Sequence, residues 1–243
     1  MNVQKLFWGV VIFAVLTFLL TGCSEEDNPV KAPSTPDPPT FSLRSIPLPD
    51  NLENSPNEMA QQAVSIIEEA MRFDNENCCF EKPEVCKALT EKTGEWEYQW
   101  SDGNLTKNLK VTTKGDRDAW QFYLNGNSNG KTFDNFRAMD AVQQKNKSNG
   151  HVHLFKSNSI QIETQWVWYT LDNGNYLFTK ESFAESRYNL EITIHTDKSG
   201  KIERYVLSPA GSMVYDVRFT WEANGSGAWW TYEAGQQKDY GTW

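Results

Sequence analysis

The sequence predicts a mainly β protein, an antiparallel β-meander of about 10–12 strands that forms a barrel or a strongly curved sheet, with one or two N-terminal helices packed on it. Three observations predict it. From Gly94 onward apolar residues recur with a period of two, the side-chain period of a strand. All thirteen glycines outside residues 1–22 lie at or beyond Gly94, mostly between short alternating runs. Eight of the ten prolines, by contrast, fall within residues 24–56.

The elements follow in order. Residues 1–22 carry one charged side chain, Lys5, ahead of an apolar stretch from Leu6 to Leu20, the layout of a signal segment. It ends in Leu20-Thr21-Gly22-Cys23. These four residues resemble the lipobox of bacterial lipoproteins. The resemblance implies cleavage after Gly22, a diacylglyceryl group on the Cys23 thiol, and often an acyl chain on the new amino group. Two or three chains, at about 0.8 kcal/mol per buried CH₂, hold a domain firmly on a bilayer. Ser24 stands where an aspartate can retain such proteins in the inner membrane, so the resemblance implies the outer membrane. The run Ser24-Glu25-Glu26-Asp27 is similar to the acidic surface-export signals of some diderm lipoproteins, and it also suits a solvated tether.

Residues 23–56 read as a lipid-anchored, Pro-rich tether, because proline removes backbone donors and favours extended geometry. Its last apolar residues, Phe41, Leu43, Ile46 and Leu48, have the alternative of lying against the domain. Residues 57–93 read as a helical segment. Ser55-Pro56-Asn57-Glu58 has the pattern of a capping box with proline at the first helical position. Met59, Ala63, Ile66 and Ala70 then form an apolar strip, flanked by Ala60, Val64, Ile67 and Met71, as far as about Phe73. A shorter helical piece is expected over about Lys82–Lys92.

Residues 94–243 read as the β-domain, one globular unit with the helical segment. Trp96, Tyr98 and Trp100 share a face before the turn at Asp102-Gly103. Leu109 and Val111 follow, then Trp120, Phe122 and Leu124, then Phe136, Ala138 and Val142 before an expected turn at Asn149-Gly150. Ile160, Ile162, Trp166 and Trp168 form a strand closed by Asp172-Asn173-Gly174. Tyr188 to Ile194 precede Asp197-Lys198-Ser199-Gly200, and Met213, Tyr215, Val217, Phe219 and Trp221 share a face before Asn224-Gly225. Asn-Gly and Asp-Gly between alternating runs are hairpin signals. Neither a βαβ alternation nor a precise repeat is visible. Gly94-Glu95-Trp96 is similar to the G-x-W start of lipocalins, which implies barrel closure.

Function is less legible than fold. Outside residues 1–22, 22 basic side chains face 32 acidic ones, a net charge of −10 that excludes a nucleic-acid partner. No second long apolar run exists, which excludes a helical multi-span protein. Besides Cys23 there are Cys78, Cys79 and Cys86; a bridge from Cys79 or Cys78 to Cys86 would staple the helical pieces and leave one thiol over. His151 and His153 flank Val152, so both imidazoles face one side of a strand, but a metal needs a third ligand, and they read as solvent-facing. No G-x-S-x-G elbow or H-E-x-x-H helix is present, so no catalytic residue, metal site or cofactor is assigned. Residues 94–243 hold 25 aromatic residues, with both faces aromatic around Trp166, Trp168 and Tyr169 and around Trp229, Trp230 and Tyr232. The leading expectation is an outer-membrane or surface lipoprotein, membrane-attached through its lipid, with a non-enzymatic binding role toward an apolar, glycan or protein ligand. The alternatives are a structural lipoprotein docking an envelope partner and a carboxylate-dependent envelope hydrolase.

Overall fold

A computed structural model of the chain describes residues 37–73, 80, 82–84, 86 and 88–243. The expected signal segment, Cys23, Cys78 and Cys79 lie outside them. Among the described residues, no helix is long and apolar enough to cross a membrane.

Two helices, α1 (Asp50–Glu53) and α2 (Glu58–Ala70), precede thirteen strands. These are β1 (Thr90–Lys92), β2 (Glu95–Asp102), β3 (Leu105–Lys114), β4 (Arg117–Ser128), β5 (Lys131–Gln144), β6 (Asn149–Phe155) and β7 (Ile162–Thr170). They continue with β8 (Tyr176–Ser182), β9 (Tyr188–Ile194), β10 (Gly200–Leu207), β11 (Met213–Trp221), β12 (Gly227–Glu233) and β13 (Gln236–Thr242). Each strand pairs antiparallel with its sequence neighbours, in the order β1 to β13, and the two end strands do not meet. The meander is as expected; the alternative of a closed barrel, and with it the closure implied by Gly94-Glu95-Trp96, is not realised.

The sheet is curved by its own core. Laid flat, thirteen strands would be about 58 Å wide at about 4.8 Å per interval, whereas the 13 residues of α2 span only about 20 Å. Yet buried residues from β2 through β11 join those of both helices in one hydrophobic cluster. The sheet therefore wraps its inner face around α2 and the segment that precedes it.

That segment corrects the reading of residues 23–56 as a tether throughout. Leu48 and Leu52 are buried, and Phe41, Leu43 and Ile46 pack against the core. Phe41 stacks on Phe80 at 4.0 Å and meets Trp120 edge-on at 5.2 Å. Backbone carbonyls of the segment satisfy buried donors of the sheet: Pro39 accepts the Trp120 indole N–H at 3.3 Å and Ser42 accepts Gln143 Nε2 at 3.0 Å. At its far end Asn51 Nδ2 donates to the Asn224 carbonyl, between β11 and β12, at 3.1 Å. Residues 39–52 thus form a strap across the inner face. Proline spacing resembled a tether because it reports missing backbone donors, which an extended strap also tolerates.

Helix α2 buries the expected strip: Ala60, Ala63, Ile66, Ile67 and Ala70. It starts later than the capping-box pattern predicts. Asn57, not Ser55, is the N-cap, its Oδ1 accepting from Met59 N at 2.9 Å and Ala60 N at 3.4 Å. It ends at Ala70, whose carbonyl, left without a helical partner, accepts the Trp166 indole N–H at 3.1 Å. The second helical piece is absent among the described residues; Thr90–Lys92 form the edge strand β1.

Four hairpin turns at one end of the sheet share a construction that the sequence reading did not detect. In Asn146-Lys147-Ser148, Asn173-Gly174-Asn175, Asp197-Lys198-Ser199 and Asn224-Gly225-Ser226, the first side chain's Oδ1 accepts the third residue's N–H at 2.9–3.1 Å. The middle residue is left-handed in each, with φ of 59°, 82°, 70° and 86°. The expected turn at Asn149-Gly150 is thereby displaced to 146–148, and Gly150 pairs inside β6. Gly150 instead makes room for Trp168 across the ladder: a Cβ there would lie 2.3 Å from the indole. Gly200 opposite Trp221 and Gly241 opposite Trp229 repeat the arrangement. Much of the tryptophan content is therefore packing, as ring-over-glycine pairs that pin the register.

Candidate functional site

With most of the inner face filled, a ligand is left an open cavity beside α2 or the outer face of the sheet. Register makes that outer face two unbroken rows. One runs Glu97, Lys110, Gln121, Asp140, His153, Gln165, Glu181, Asn189, Tyr205 and Tyr215, from β2 to β11. The other includes His151, Val167, Thr179, Glu191, Glu203, Arg218, Trp230 and Tyr240, from β6 to β13. Two clusters on these rows stand out.

The first is Asp140, His151 and His153, whose potential ligand atoms all lie within 4.8 Å of one another. Asp140 and His153 are direct partners across β5 and β6. The imidazoles stack at 4.4 Å with 22° between their planes. His153 Nδ1 is 3.1 Å and His151 Nε2 4.0 Å from Asp140 Oδ1. Burial works against the Asp140 carboxylate, but His153, Arg137 and His151 outweigh it and hold the carboxyl below its ordinary range. Burial, then the neighbouring His153, pushes the His151 imidazole down, with Asp140 opposing.

Asp140 is absent from the sequence reading because of a β-bulge. By strict alternation Phe136, Ala138 and Val142 share one face, and Asp140 would share their parity. In the structure Phe136 pairs with Leu124, Arg137 with Tyr123, and Met139 with Phe122, leaving Ala138 as the extra residue. The core residues beyond the bulge are Met139, Ala141 and Gln143, and Asp140 turns outward to the histidines. The same bulge puts Arg137 and Asp140 on one face, with Nη1 and Oδ2 3.5 Å apart.

The second cluster is aromatic. Tyr205 and Tyr215 rings lie 4.6 Å apart, Tyr215 and Tyr232 stack at 5.2 Å, and the Arg218 guanidinium lies 5.1 Å over Trp230. Tyr205 OH donates to Tyr215 OH at 3.2 Å, which donates to Glu203 Oε1 at 3.3 Å. Glu203 is 6% exposed and also accepts from Lys201 Nζ. Burial, the Tyr215 hydrogen bond and the Glu203 charge push the Tyr205 hydroxyl well above its ordinary pKa. A second bulge builds this cluster: Tyr205 pairs with Tyr215 and Arg204 with Val217, leaving Asp216 over. Tyr215 thus faces outward, against the expectation that it shares a face with Val217, Phe219 and Trp221. On the inner face that bulge turns Asp216 toward Arg204, whose Nε donates to Oδ2 at 2.6 Å. The pair stands beside an open cavity of about 550 Å³ between α2 and the strand ends, lined by Ile66, Ala70, Leu190 and Val206 among others.

Of the cysteines named from sequence, Cys86 is buried, with Sγ 3.3 Å from the Gln99 carbonyl oxygen. Its expected partners Cys78 and Cys79, and the lipidation site Cys23, lie outside the described residues. His195 sits apart from the other histidines, at the turn after β9. The aromatic residues noted on both faces separate cleanly: Trp166, Trp168 and Trp229 face inward, while Tyr169, Trp230 and Tyr232 do not. Comparison of the sequence with known protein families finds no family that matches, and comparison with curated proteins finds no matching relative.

Proposed function

We propose that the chain is a lipid-anchored protein of the outer membrane with a non-enzymatic binding role, and that its ligand is a glycan. The anchor rests on Leu20-Thr21-Gly22-Cys23. The observation that carries the binding reading is the outer aromatic cluster of Tyr205, Tyr215, Tyr232 and Trp230, set among Glu203, Arg218 and Asn189. Aromatic faces take the C–H faces of sugar rings, and the flanking acids, amide and guanidinium suit hydroxyls. An apolar ligand is less favoured, since the strap, α2 and the ring cluster fill most of the inner face, and the open cavity left beside α2 carries Lys180, Glu185, Arg204 and Asp216 in its lining.

The reading is tested with the purified protein against a panel of soluble oligosaccharides, followed by tryptophan fluorescence. Binding that falls at least tenfold in Tyr215→Ala and Trp230→Ala supports it; no binding across the panel, or binding that survives both changes, overturns it. The anchor is tested separately. Cys23→Ala should accumulate as unprocessed precursor, and normal maturation of that variant would remove the lipoprotein reading.

A further inference from the structure

We propose that Asp140, His151 and His153 bind a zinc ion on the outer face of the sheet. The donor set is two imidazole nitrogens and one carboxylate oxygen, which suits a borderline divalent ion and not Ca²⁺ or Mg²⁺, whose sites are built from oxygen. The geometry is close to what the ion requires. In a tetrahedral site with bonds of about 2.05 Å, ligand atoms stand about 3.4 Å apart. The Asp140 oxygen already lies 3.1 Å and 4.0 Å from the two imidazole nitrogens, and no separation in the set exceeds 4.8 Å. Because the rings stack at 4.4 Å with 22° between their planes, binding requires one imidazole to swing out of the stack until both in-plane lone pairs converge on the ion.

A second observation points the same way. Asp140 Oδ1 is shielded from water, and its closest approach among the described residues, His153 Nδ1 at 3.1 Å, is an ion-pair contact that misses good hydrogen-bonding geometry. A shielded acceptor with a poorly aimed donor is under-satisfied, and a cation between the carboxylate and the rings would complete its coordination. The other carboxylate oxygen is engaged by Arg137, whose guanidinium is itself seated over the Phe155 ring at 4.8 Å. That contact fixes the carboxylate's orientation, as outer-shell partners of metal ligands do. Three protein ligands on an exposed face leave one coordination position for water or a ligand atom. The site is independent of the glycan reading, since along the shared row His153 and Tyr205 are separated by β7, β8 and β9.

The test is zinc titration of the purified full-length protein, metal-stripped and with thiols alkylated, by calorimetry and by competition with a chromophoric chelator. One equivalent of Zn²⁺ is expected, with affinity reduced at least tenfold in His151→Ala, His153→Ala and Asp140→Asn and unchanged in His195→Ala. Circular dichroism of each metal-free variant separates lost binding from lost folding. If an alanine variant fails to fold, X-ray absorption of the zinc-loaded wild-type protein decides: a nitrogen and oxygen shell with imidazole scattering upholds the site. No bound zinc, a sulfur shell, or affinity unaffected by all three changes overturns it. Oligosaccharide binding measured in chelator keeps this outcome distinct from that of the glycan reading.

Discussion

Tyr176 is a residue whose contribution to stability falls as the pH becomes alkaline. It is 5% exposed, its hydroxyl has no hydrogen-bond partner among the described residues, and burial pushes its pKa far above the ordinary 10, with Arg44 opposing. An acid whose folded pKa is raised binds its proton more tightly in the folded chain. Its stabilising share is therefore intact below about pH 10 and is lost as pH rises toward the folded value. Tyr176→Phe removes both the orphaned hydroxyl and this alkaline liability. The variant should match or exceed wild-type stability at pH 7 and lose less of its melting temperature between pH 9 and 11. A Tyr176→Phe protein that unfolds earlier than wild type at pH 7 would mean that the hydroxyl has a partner after all. Gly150 makes the complementary point: its value lies in the absence of a side chain, since Trp168 occupies the place of its Cβ.

Among the elements, α2 carries the clearest single expectation. Ile67 is 3% exposed within the common core. Truncation to alanine should cost about 2–5 kcal/mol, from lost burial and the cavity left behind. Urea denaturation should show a lower midpoint at unchanged slope, and a loss under about 1 kcal/mol would mean that the helix is not an obligatory part of the core. This helix was readable because a 3.6-residue strip survives errors of two residues at either end. Strand existence was readable for a similar reason, since alternation and turn residues recur many times. Facing was not. One extra residue at Ala138 or Asp216 reverses parity without changing composition, and Phe136-Arg137-Ala138-Met139-Asp140-Ala141 offers apolar residues to either face. The histidine pair was therefore legible and its carboxylate was not. The shared turns escaped notice because the left-handed position is held by lysine in two of them and glycine in the other two. The feature they have in common is a backbone conformation, not a residue type.

At the scale of the whole molecule, the strap predicts how far the chain can be shortened. A protein beginning at Asp37 keeps the whole strap and serves as the reference. One beginning at Asn57 should lose Leu48, Leu52 and the Phe41 ring contacts, and with them much of the cooperative transition seen by calorimetry. Equal melting temperatures for the two would reduce the strap to decoration. The sheet's exposed last strand is polar, with Lys238 and Asp239 at its centre, which discourages another chain from extending it. The strap also divides assembly into two kinds of event. Every strand pairing joins sequence neighbours across a short turn, so little chain entropy is lost before each contact forms. The junction of Asn51 with Asn224 instead spans 173 residues. Pairing of hairpins is thus local, and the strap can meet β4 and β5 early through Pro39 and Ser42, whereas its far end is fixed only once the turn between the eleventh and twelfth strands exists. Until that closure, a chain with most of its backbone bonds in place leaves the aromatic residues of the last strands, Phe219 and Trp221 among them, less covered than in the finished fold. The interval before the clamp, more than the pairing of any strand, is when this protein is most exposed to aggregation.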